Sequence, residues 1–327
     1  MLLKTLLAID DLSVRFHTAQ GTGTAVDHVG FSLRERDSLG IVGESGCGKS
    51  VTAMSILGLL EIPPAQIESG RIIFKDQNLL HLSSEKLRAI RGREISMIFQ
   101  EPMTSLNPVL TIGRQVAEPL MTHHNLPKKA AYEAAAGMLD RVKIPDPLKR
   151  LKDYPHQLSG GMRQRVMIAM AMICEPSLLI ADEPTTALDV SIQSQILSLM
   201  ARLKAELGMS LLLITHDMGV IAQMVNRVVV MYAGQVVETA SVRALFERPL
   251  HPYSKGLLRA IPKLGRRQSL SSPRLYEIRG AVPSFIEQRP GCKFSDRCPA
   301  VMAVCRREQP ELESGEDGRQ VRCWLNR

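Results

Sequence analysis

The chain has 327 residues, of which 45% are hydrophobic and 23% charged, and its formal net charge is +8. This apolar content is enough for a buried core and excludes wholesale disorder, and no run of about 18 apolar residues predicts a membrane-spanning helix. The basic excess suits nucleotide, nucleic acid or an acidic membrane surface without choosing among them. The first residues resemble a signal peptide, but they continue into Ile9-Asp10-Asp11 without a long apolar core or a cleavage site. We therefore predict the first strand of a cytosolic protein.

The first hundred residues predict an antiparallel sheet and a strand that leads into a glycine-rich loop. Apolar and polar residues alternate over 12–16 and over 29–33, and the composition of 18–24 between them is typical of a turn. Residues 39–42 are a short apolar strand that precedes the loop, and 49–60 predict a helix. Two more strand-like runs follow, at residues 71–74 and 95–99.

Helix and strand alternate again after a helical stretch that covers about 101–160 and includes a helix over 129–142. The predicted elements are helices at 162–174 and 191–207, strands at 178–181 and 211–214, and a hairpin over 227–238 that turns at Ala233-Gly234. This alternation predicts an α/β fold with a mostly parallel sheet covered by helices. Regular periodicity is lost after about residue 245, so we predict a domain over 1–260, a linker at 262–275 and a small C-terminal module within 261–327.

Residues 43–50 read GESGCGKS and fit the P-loop pattern, between a predicted strand and a predicted helix. Glycines let successive backbone N–H groups turn inward, and these groups and the helix N-terminus bind phosphates. Lys49 is expected to reach the terminal phosphates, and the Ser50 hydroxyl to coordinate Mg²⁺. The candidate phosphate-binding residues are Gly43, Glu44, Ser45, Gly46, Cys47, Gly48, Lys49, Ser50 and Val51.

A pair of acidic residues follows the apolar strand at 178–181. Asp182, at the carboxyl end of this strand, is placed to hold Mg²⁺, and Glu183 is the candidate general base that polarises the attacking water. Paired acids alone would also suit a solvated turn. The P-loop upstream makes a catalytic role the better interpretation.

Residues 158–165, which read LSGGMRQR, indicate which family of P-loop proteins the chain resembles. Ser159 with Gly160 and Gly161 begins a predicted helix, whose exposed N–H groups are a second anion site. The sequence here resembles the signature motif of the ATP-binding-cassette (ABC) superfamily, and the resemblance extends over about 7–260. Four more motifs match: Gln100 of the Q-loop, Ala187-Leu188-Asp189 of the D-loop, the switch residue His216, and Phe16 at the place of an aromatic that stacks on adenine. Phe16 also alternates like a core residue.

The resemblance implies that two ATPase domains pair head to tail around ATP. Lys49, Gln100, Asp182, Glu183 and His216 would act from one side, with Gln100 and Asp182 beside Mg²⁺, and the signature motif would act from the other. One P-loop and one signature motif are present, so a second ABC ATPase subunit is needed. We expect a paralogue, although a second copy remains open.

A narrower resemblance covers essentially the whole chain. The stretches similar to dipeptide, oligopeptide and nickel importer ATPases are residues 100–108, 154–158, 251–254, 280–283 and 291–292. This implies a peripheral subunit at the cytoplasmic face of the inner membrane, with two transmembrane permeases and a substrate-binding protein as partners. The resemblance implies that nucleic acid is not a partner. The substrate, whether dipeptide, oligopeptide, glutathione or nickel, stays open.

Three alternatives fit less well. An ABC ATPase that acts on nucleic acid or the ribosome usually carries two cassettes or long insertions. An inactive regulatory module would not need Lys49, Asp182, Glu183 and His216. An exporter would more often have a fused membrane segment.

Four of the six cysteines lie near the C-terminus: Cys292, Cys298, Cys305 and Cys323. Zinc sites usually contain closely spaced cysteine pairs, which are missing here, and disulfides are disfavoured in cytosol. Iron–sulfur clusters accept varied spacings, and the resemblance implies a [4Fe–4S] cluster. Zinc and unligated thiols remain as alternatives.

Overall fold

The computed structural model describes residues 4–100, 105–186, 188–261, 276–287, 290–315 and 317–326. Contacts divide the chain into two compact units. The signature unit comprises the described parts of Met1–Leu6, Leu33–Ser38 and Leu79–Ile214. The phosphate-loop unit comprises those of Leu7–Ser32, Leu39–Asn78 and Thr215–Arg327.

The elements are numbered in chain order. The strands are β1 Thr5–Thr18, β2 Gly21–Arg34, β3 Ser38–Val42, β4 Ala65–Phe74, β5 Gln77–Asn78, β6 Ile95–Ile98, β7 Leu178–Asp182, β8 Ser210–Thr215, β9 Arg227–Tyr232, β10 Gln235–Ser241, β11 Glu313–Ser314 and β12 Gln320–Val321. The α-helices are α1 Lys49–Leu57, α2 Ser84–Ile90, α3 Ile112–His124, α4 Lys128–Arg141, α5 Pro147–Arg150, α6 Gly160–Met172, α7 Val190–Leu207, α8 Met218–Met224, α9 Val242–Glu247 and α10 Pro252–Ala260. None of these helices, the ones that the structure describes, is long and apolar enough to cross a membrane.

The phosphate-loop unit contains the predicted antiparallel sheet, with strand order β2-β1-β4-β5. Its β1 pairs with β4 from Leu7 opposite Phe74 to Phe16 opposite Ala65. In the same unit β3 runs parallel to β9, and β9 forms a hairpin with β10. The hairpin turns at Ala233-Gly234 as predicted, because both residues adopt the left-handed conformation that such tight turns require.

The signature unit is built on three parallel strands, β6, β7 and β8, which pair in register from Ile95 opposite Leu178 to Asp182 opposite Ile214. All residues of β7 and β8 are buried, as expected for strands covered on both faces. Helix α3 packs on α4 and α6. The α/β fold predicted from the alternation is therefore confirmed, and the parallel pairing puts Asp182 at the carboxyl end of its strand.

The C-terminal residues differ from the prediction. Instead of irregular chain after 245, the structure has α9 and α10, and β12 pairs with β10 through Val321 opposite Glu238. Since the described C-terminal residues extend the sheet of the phosphate-loop unit, their separation as a small module is not confirmed. The linker predicted at 262–275 lies outside the described residues.

Candidate nucleotide-binding site

The phosphate loop joins the buried strand β3 to α1. Gly46 and Gly48 have φ values of 80° and 89°, in the region that favours glycine. A Cβ at Gly43 would collide with the carbonyl oxygen of Met231, and one at Gly48 with that of Ala25. The glycines therefore let the loop lie closely against its neighbours in the tight conformation that phosphate-binding loops adopt.

Lys49 is the first residue of α1 and is only 6% exposed. Its Nζ donates hydrogen bonds of 2.8 Å and 2.9 Å to the carbonyl oxygens of Gly43 and Glu44, so the ammonium group is folded over the loop that it follows. Ser50 and Val51 come next and are half-buried. A buried cation at the N-terminus of a helix is suited to phosphate oxygens.

Glu44 connects the loop to residues far along the chain. Its carboxylate accepts two hydrogen bonds from Arg297, at 2.6 Å and 2.9 Å, and its N–H donates to the Tyr253 hydroxyl at 2.9 Å. The hydrogen bonds to Glu44 raise the pKa of Arg297, and they outweigh burial, which lowers it. Tyr232 and Phe294 pack their rings on Tyr253. Sequence reasoning missed these contacts, because nothing in the local pattern of 297 marks a partner at 44.

Asp182 and Glu183 lie at the end of β7 and are 4% and 9% exposed. Glu183 has φ 46°, a strained conformation for a residue with a side chain, and its N–H donates to the Ile214 carbonyl at 2.8 Å. Its Oε2 accepts hydrogen bonds from Gln100 Nε2 at 3.2 Å and from Thr186 Oγ1 at 2.8 Å. Two predicted site residues, Gln100 and Glu183, are therefore in direct contact.

The signature residues begin α6. Ser159 caps the helix by accepting a hydrogen bond from the N–H of Met162 at 3.4 Å, and both Ser159 and Gly160 are exposed. A Cβ at Gly160 would meet no other atom within 4 Å, whereas one at Gly161 would lie 3.2 Å from Ile192. The first turn of α6 therefore presents free space and N–H groups to an anion.

The same helix is tied to the acidic turn. Gln164 is 1% exposed, and its Nε2 donates to the carbonyl oxygen of Pro184, the residue after Glu183. The start of α6 and the turn that carries Glu183 thus belong to one packed structure within the signature unit.

The remaining predicted residues are more exposed. Asp189 is the N-cap residue of α7, and His216 directly follows β8, where Asp217 caps α8. Ala187 of the D-loop and residues 101–104 of the Q-loop stretch lie outside the described residues.

Phe16 lies on β1, half-buried, with its ring centroid 6.1 Å from that of Phe285. A cleft of about 320 Å³ opens beside Gly46 of the phosphate loop and is lined in part by Pro283, Ser284, Phe285 and Lys293. Sequence reasoning singled out 280–283 only as a resemblance and assigned no role to Phe285 or Lys293.

Comparisons with known proteins fit this geometry. Residues 26–186 match the family model described as "ABC transporter", and 237–305 match "Oligopeptide/dipeptide transporter, C-terminal region". The chain is 50% identical to the dipeptide transport ATP-binding protein DppD of Bacillus subtilis over 99% of this chain and 95% of that protein. The chain belongs to the ABC transporter ATPases. The predicted ATPase activity is confirmed by this membership.

Another relative of this ABC ATPase and a solved structure indicate the same family. The chain is 46% identical to the Escherichia coli dipeptide transport ATP-binding protein DppD, over 97% of this chain and 96% of that one. A dimeric structure of a post-hydrolysis state of the ATP-binding cassette MJ0796, bound to ADP and Pi, is similar with a TM-score of 0.65 and 26% identity, over 73% of this chain and 99% of that one.

The prediction of an iron–sulfur cluster is wrong. Cys292, Cys298, Cys305 and Cys323 do line one cavity, but its volume is about 10 Å³, room for about one water. Within the described residues no group of three or more His, Cys, Asp or Glu side chains could hold a metal ion, which leaves zinc unsupported as well. The relatives are named only as peptide transport ATP-binding proteins.

Proposed function

We propose that this ABC ATPase hydrolyses ATP to drive uptake of dipeptides or oligopeptides through partner permeases. The observation that carries the proposal is the built phosphate loop, with Lys49 held over it, in a chain that also matches the C-terminal region of oligopeptide/dipeptide transporters. The subunit would sit peripherally at the cytoplasmic face of the inner membrane. Its partners would be two permeases, a substrate-binding protein and a second ATPase subunit, which we expect to be a paralogue.

Lys49 and the N–H groups of the loop would bind the β- and γ-phosphates of ATP. The hydroxyl of Ser50 and the buried carboxylate of Asp182 are oxygen donors of the kind that Mg²⁺ prefers, and Gln100 offers an amide oxygen. Bound Mg²⁺ would neutralise charge on the phosphate oxygens. These residues fit the ion by the chemistry of their side chains.

Glu183 would act as general base. Its carboxylate would accept a proton as the water oxygen attacks the γ-phosphorus, and the bond to the β–γ bridging oxygen would break to give ADP and phosphate. Gln100 and Thr186 hold the carboxylate by hydrogen bonds to Oε2, which fixes its direction. We propose that His216 contacts the γ-phosphate from the end of β8.

The signature residues would act on the ATP of the partner subunit. Ser159, Gly160 and Gly161 present an exposed helix N-terminus, and Asp189 is the N-cap residue of the next helix, α7. An anion site that is open to solvent suits a ligand brought by another chain. Each ATP would then need residues from both subunits.

The test is reconstitution of the complex that copurifies with the tagged full-length chain from its native cells. We expect two permeases and a second ABC ATPase, and ATP-dependent peptide uptake by vesicles that contain them. Lys49→Ala should abolish uptake, whereas Lys149→Ala, which replaces an exposed lysine, should leave it unchanged. Uptake that survives Lys49→Ala, or copurification with ribosomes in place of permeases, would refute the proposal.

A further inference from the structure

Arg297 lies between the phosphate loop and the C-terminal segment, by which we mean the described residues from 276 onward. Its side chain is 5% exposed, and each of the five N–H donors of the guanidinium has a partner. Two donate to the Glu44 carboxylate at 2.6 Å and 2.9 Å, and two donate to the carbonyl oxygens of Arg279 and Ile278 at 3.0 Å each. The fifth donates to the Tyr232 hydroxyl at 3.4 Å. The C-terminal segment therefore holds the guanidinium in the orientation that meets Glu44.

Glu44 connects this guanidinium to Lys49. The N–H of Glu44 donates to the buried Tyr253 hydroxyl at 2.9 Å. Its carbonyl oxygen accepts hydrogen bonds from Lys49 Nζ at 2.9 Å and from the N–H of Cys47 at 3.3 Å. The contacts that join Arg297 to the ammonium group of Lys49 therefore pass through one residue. A shift of Glu44 would move the carbonyl oxygen against which Lys49 is held.

Glu44 also places a negative charge in a loop that is built to hold a polyanion. An unpaired carboxylate there would repel phosphate groups, because like charges raise each other's free energy. Arg297 binds both oxygens of this carboxylate, the arrangement in which a guanidinium compensates a carboxylate best. The charge of the phosphate loop is thus balanced by a residue 253 positions further along the chain.

We propose that Arg297 is a positioning residue of the nucleotide site, and that the phosphate loop binds ATP tightly only when this guanidinium holds and neutralises Glu44. The inference rests on the proposed function, since it needs ATP in the phosphate loop. Arg297 does not touch the nucleotide and acts through Glu44. The C-terminal segment thereby becomes part of the machinery that sets ATP affinity.

The experiment is calorimetric titration of the purified full-length chain with ATP and Mg²⁺ and, separately, with inorganic tripolyphosphate. Arg297→Ala should weaken the binding of both ligands about tenfold, because it leaves an unpaired carboxylate in the phosphate loop. Arg306→Ala is the matched control, since Arg306 belongs to the same segment and pairs with Asp296 at 3.6 Å but is 60% exposed. This control should bind both ligands like the wild type.

Two further variants separate this role from a folding defect. Arg297→Ala combined with Glu44→Gln lacks both charges and should recover most of the lost affinity, although the ion pair is still missing. Arg297→Lys keeps the positive charge without the two-pronged contact, and it should bind ATP more tightly than Arg297→Ala. If the double variant binds ATP as weakly as Arg297→Ala, the inference is overturned.

Steady-state hydrolysis by the assembled ATPase pair gives an independent measurement. Arg297→Ala should raise KM for ATP about tenfold and leave kcat near that of the wild type, because the general base Glu183 belongs to the signature unit. A smaller folded fraction would instead lower the apparent kcat at unchanged KM, and that result would overturn the inference. A wild type that binds no ATP would overturn the proposed function as well, whereas unchanged ATP affinity of Arg297→Ala would overturn the inference alone.

Discussion

The phosphate loop and the signature residues both begin a helix, yet they are built differently. Lys49, at the start of α1, is 6% exposed, and Gly48 before it lies against the backbone of Ala25. Ser159 and Gly160, at the start of α6, are exposed, and Gly160 has free space around it. Both helix ends offer N–H groups and a favourable dipole to an anion. The first is enclosed by its own unit, whereas the second is open.

This difference predicts which properties change when residues at each of the two helix starts are replaced. Changes around the phosphate loop should affect folding and ATP affinity, because its residues are also packing and ion-pair partners. Changes at the start of α6 should leave both intact and lower only hydrolysis.

The largest expected effect is that of Glu183→Gln. Loss of the general base should slow steady-state ATP hydrolysis by about 10²-fold or more, while ATP affinity stays near that of the wild type. Glu175→Gln is a matched control, because Glu175 also has a positive φ, 50° against 46° for Glu183, and lies in the same unit. Equal rates for Glu183→Gln and the wild type would exclude the proposed role.

Arg297→Ala tests the enclosed character of the phosphate loop. The guanidinium is 5% exposed and binds both carboxylate oxygens of Glu44. Because Glu44 is 33% exposed, leaving it without its partner should cost less free energy than breaking a fully buried ion pair. We therefore expect the free energy of unfolding to fall by about 2 kcal/mol in denaturant titrations.

The control for this pair is Arg243→Ala, which removes an ion pair of similar length, 2.8 Å to Glu247, from the surface. Exposed pairs contribute little, so this variant should unfold like the wild type. Similar behaviour of the two variants would mean that the contact between Arg297 and Glu44 does not stabilise the loop.

Gly160→Asp tests the open character of α6. A carboxylate at this helix end is compatible with folding but would repel a phosphate group, so hydrolysis by the assembled ATPase pair should fall about tenfold or more. ATP affinity of the separate chain should not change. Gly137→Asp is the control, since Gly137 is also exposed with no neighbour within 4 Å of its Cβ position. A loss of ATP affinity in Gly160→Asp would show that the start of α6 is not independent of the loop.

Local features were predictable from the sequence. The strand–loop–helix at 39–57, the parallel strands β7 and β8 and the hairpin at Ala233-Gly234 depend on glycine conformations and short-range patterns. The predicted end of α1 at residue 60 was three residues late, because Gly58 adopts a left-handed conformation and ends the helix at Leu57.

Long-range features were not predictable. Two contacts join residues more than 250 positions apart. They are the ion pair between Glu44 and Arg297 and the hydrogen bond from the Thr24 N–H to the Phe285 carbonyl oxygen. No periodic pattern encodes such contacts. The cysteine prediction failed because the spacing of cysteines along the chain does not show whether their thiols meet as metal ligands in the fold. Among the described residues no such group of ligands is found.

The smallest predicted effect is a pH dependence of stability that arises from His251. This side chain is 1% exposed, and its Nδ1 accepts a hydrogen bond from the N–H of Tyr253 at 3.0 Å, which requires an unprotonated Nδ1. Burial, assisted by the charge of Lys255, lowers the pKa of His251 to about 3, well below the ordinary value near 6.5. As the pH falls, the unfolded chain therefore binds a proton that the folded chain excludes. The stability from the neutral imidazole is fully present well above pH 6.5 and is lost progressively as the pH falls toward the folded pKa of about 3. Between pH 7 and pH 6 the free energy of unfolding should fall by about 0.7 kcal/mol through this residue.

The test variant is His251→Asn, which retains an acceptor for the Tyr253 N–H but has no titrating ring. It should remove the contribution of residue 251 to the fall in unfolding free energy between the two pH values. His156→Asn, at an exposed position, should not remove it. If the slopes of His251→Asn and the wild type coincide in denaturant titrations at the two pH values, the buried neutral imidazole does not contribute to the pH response.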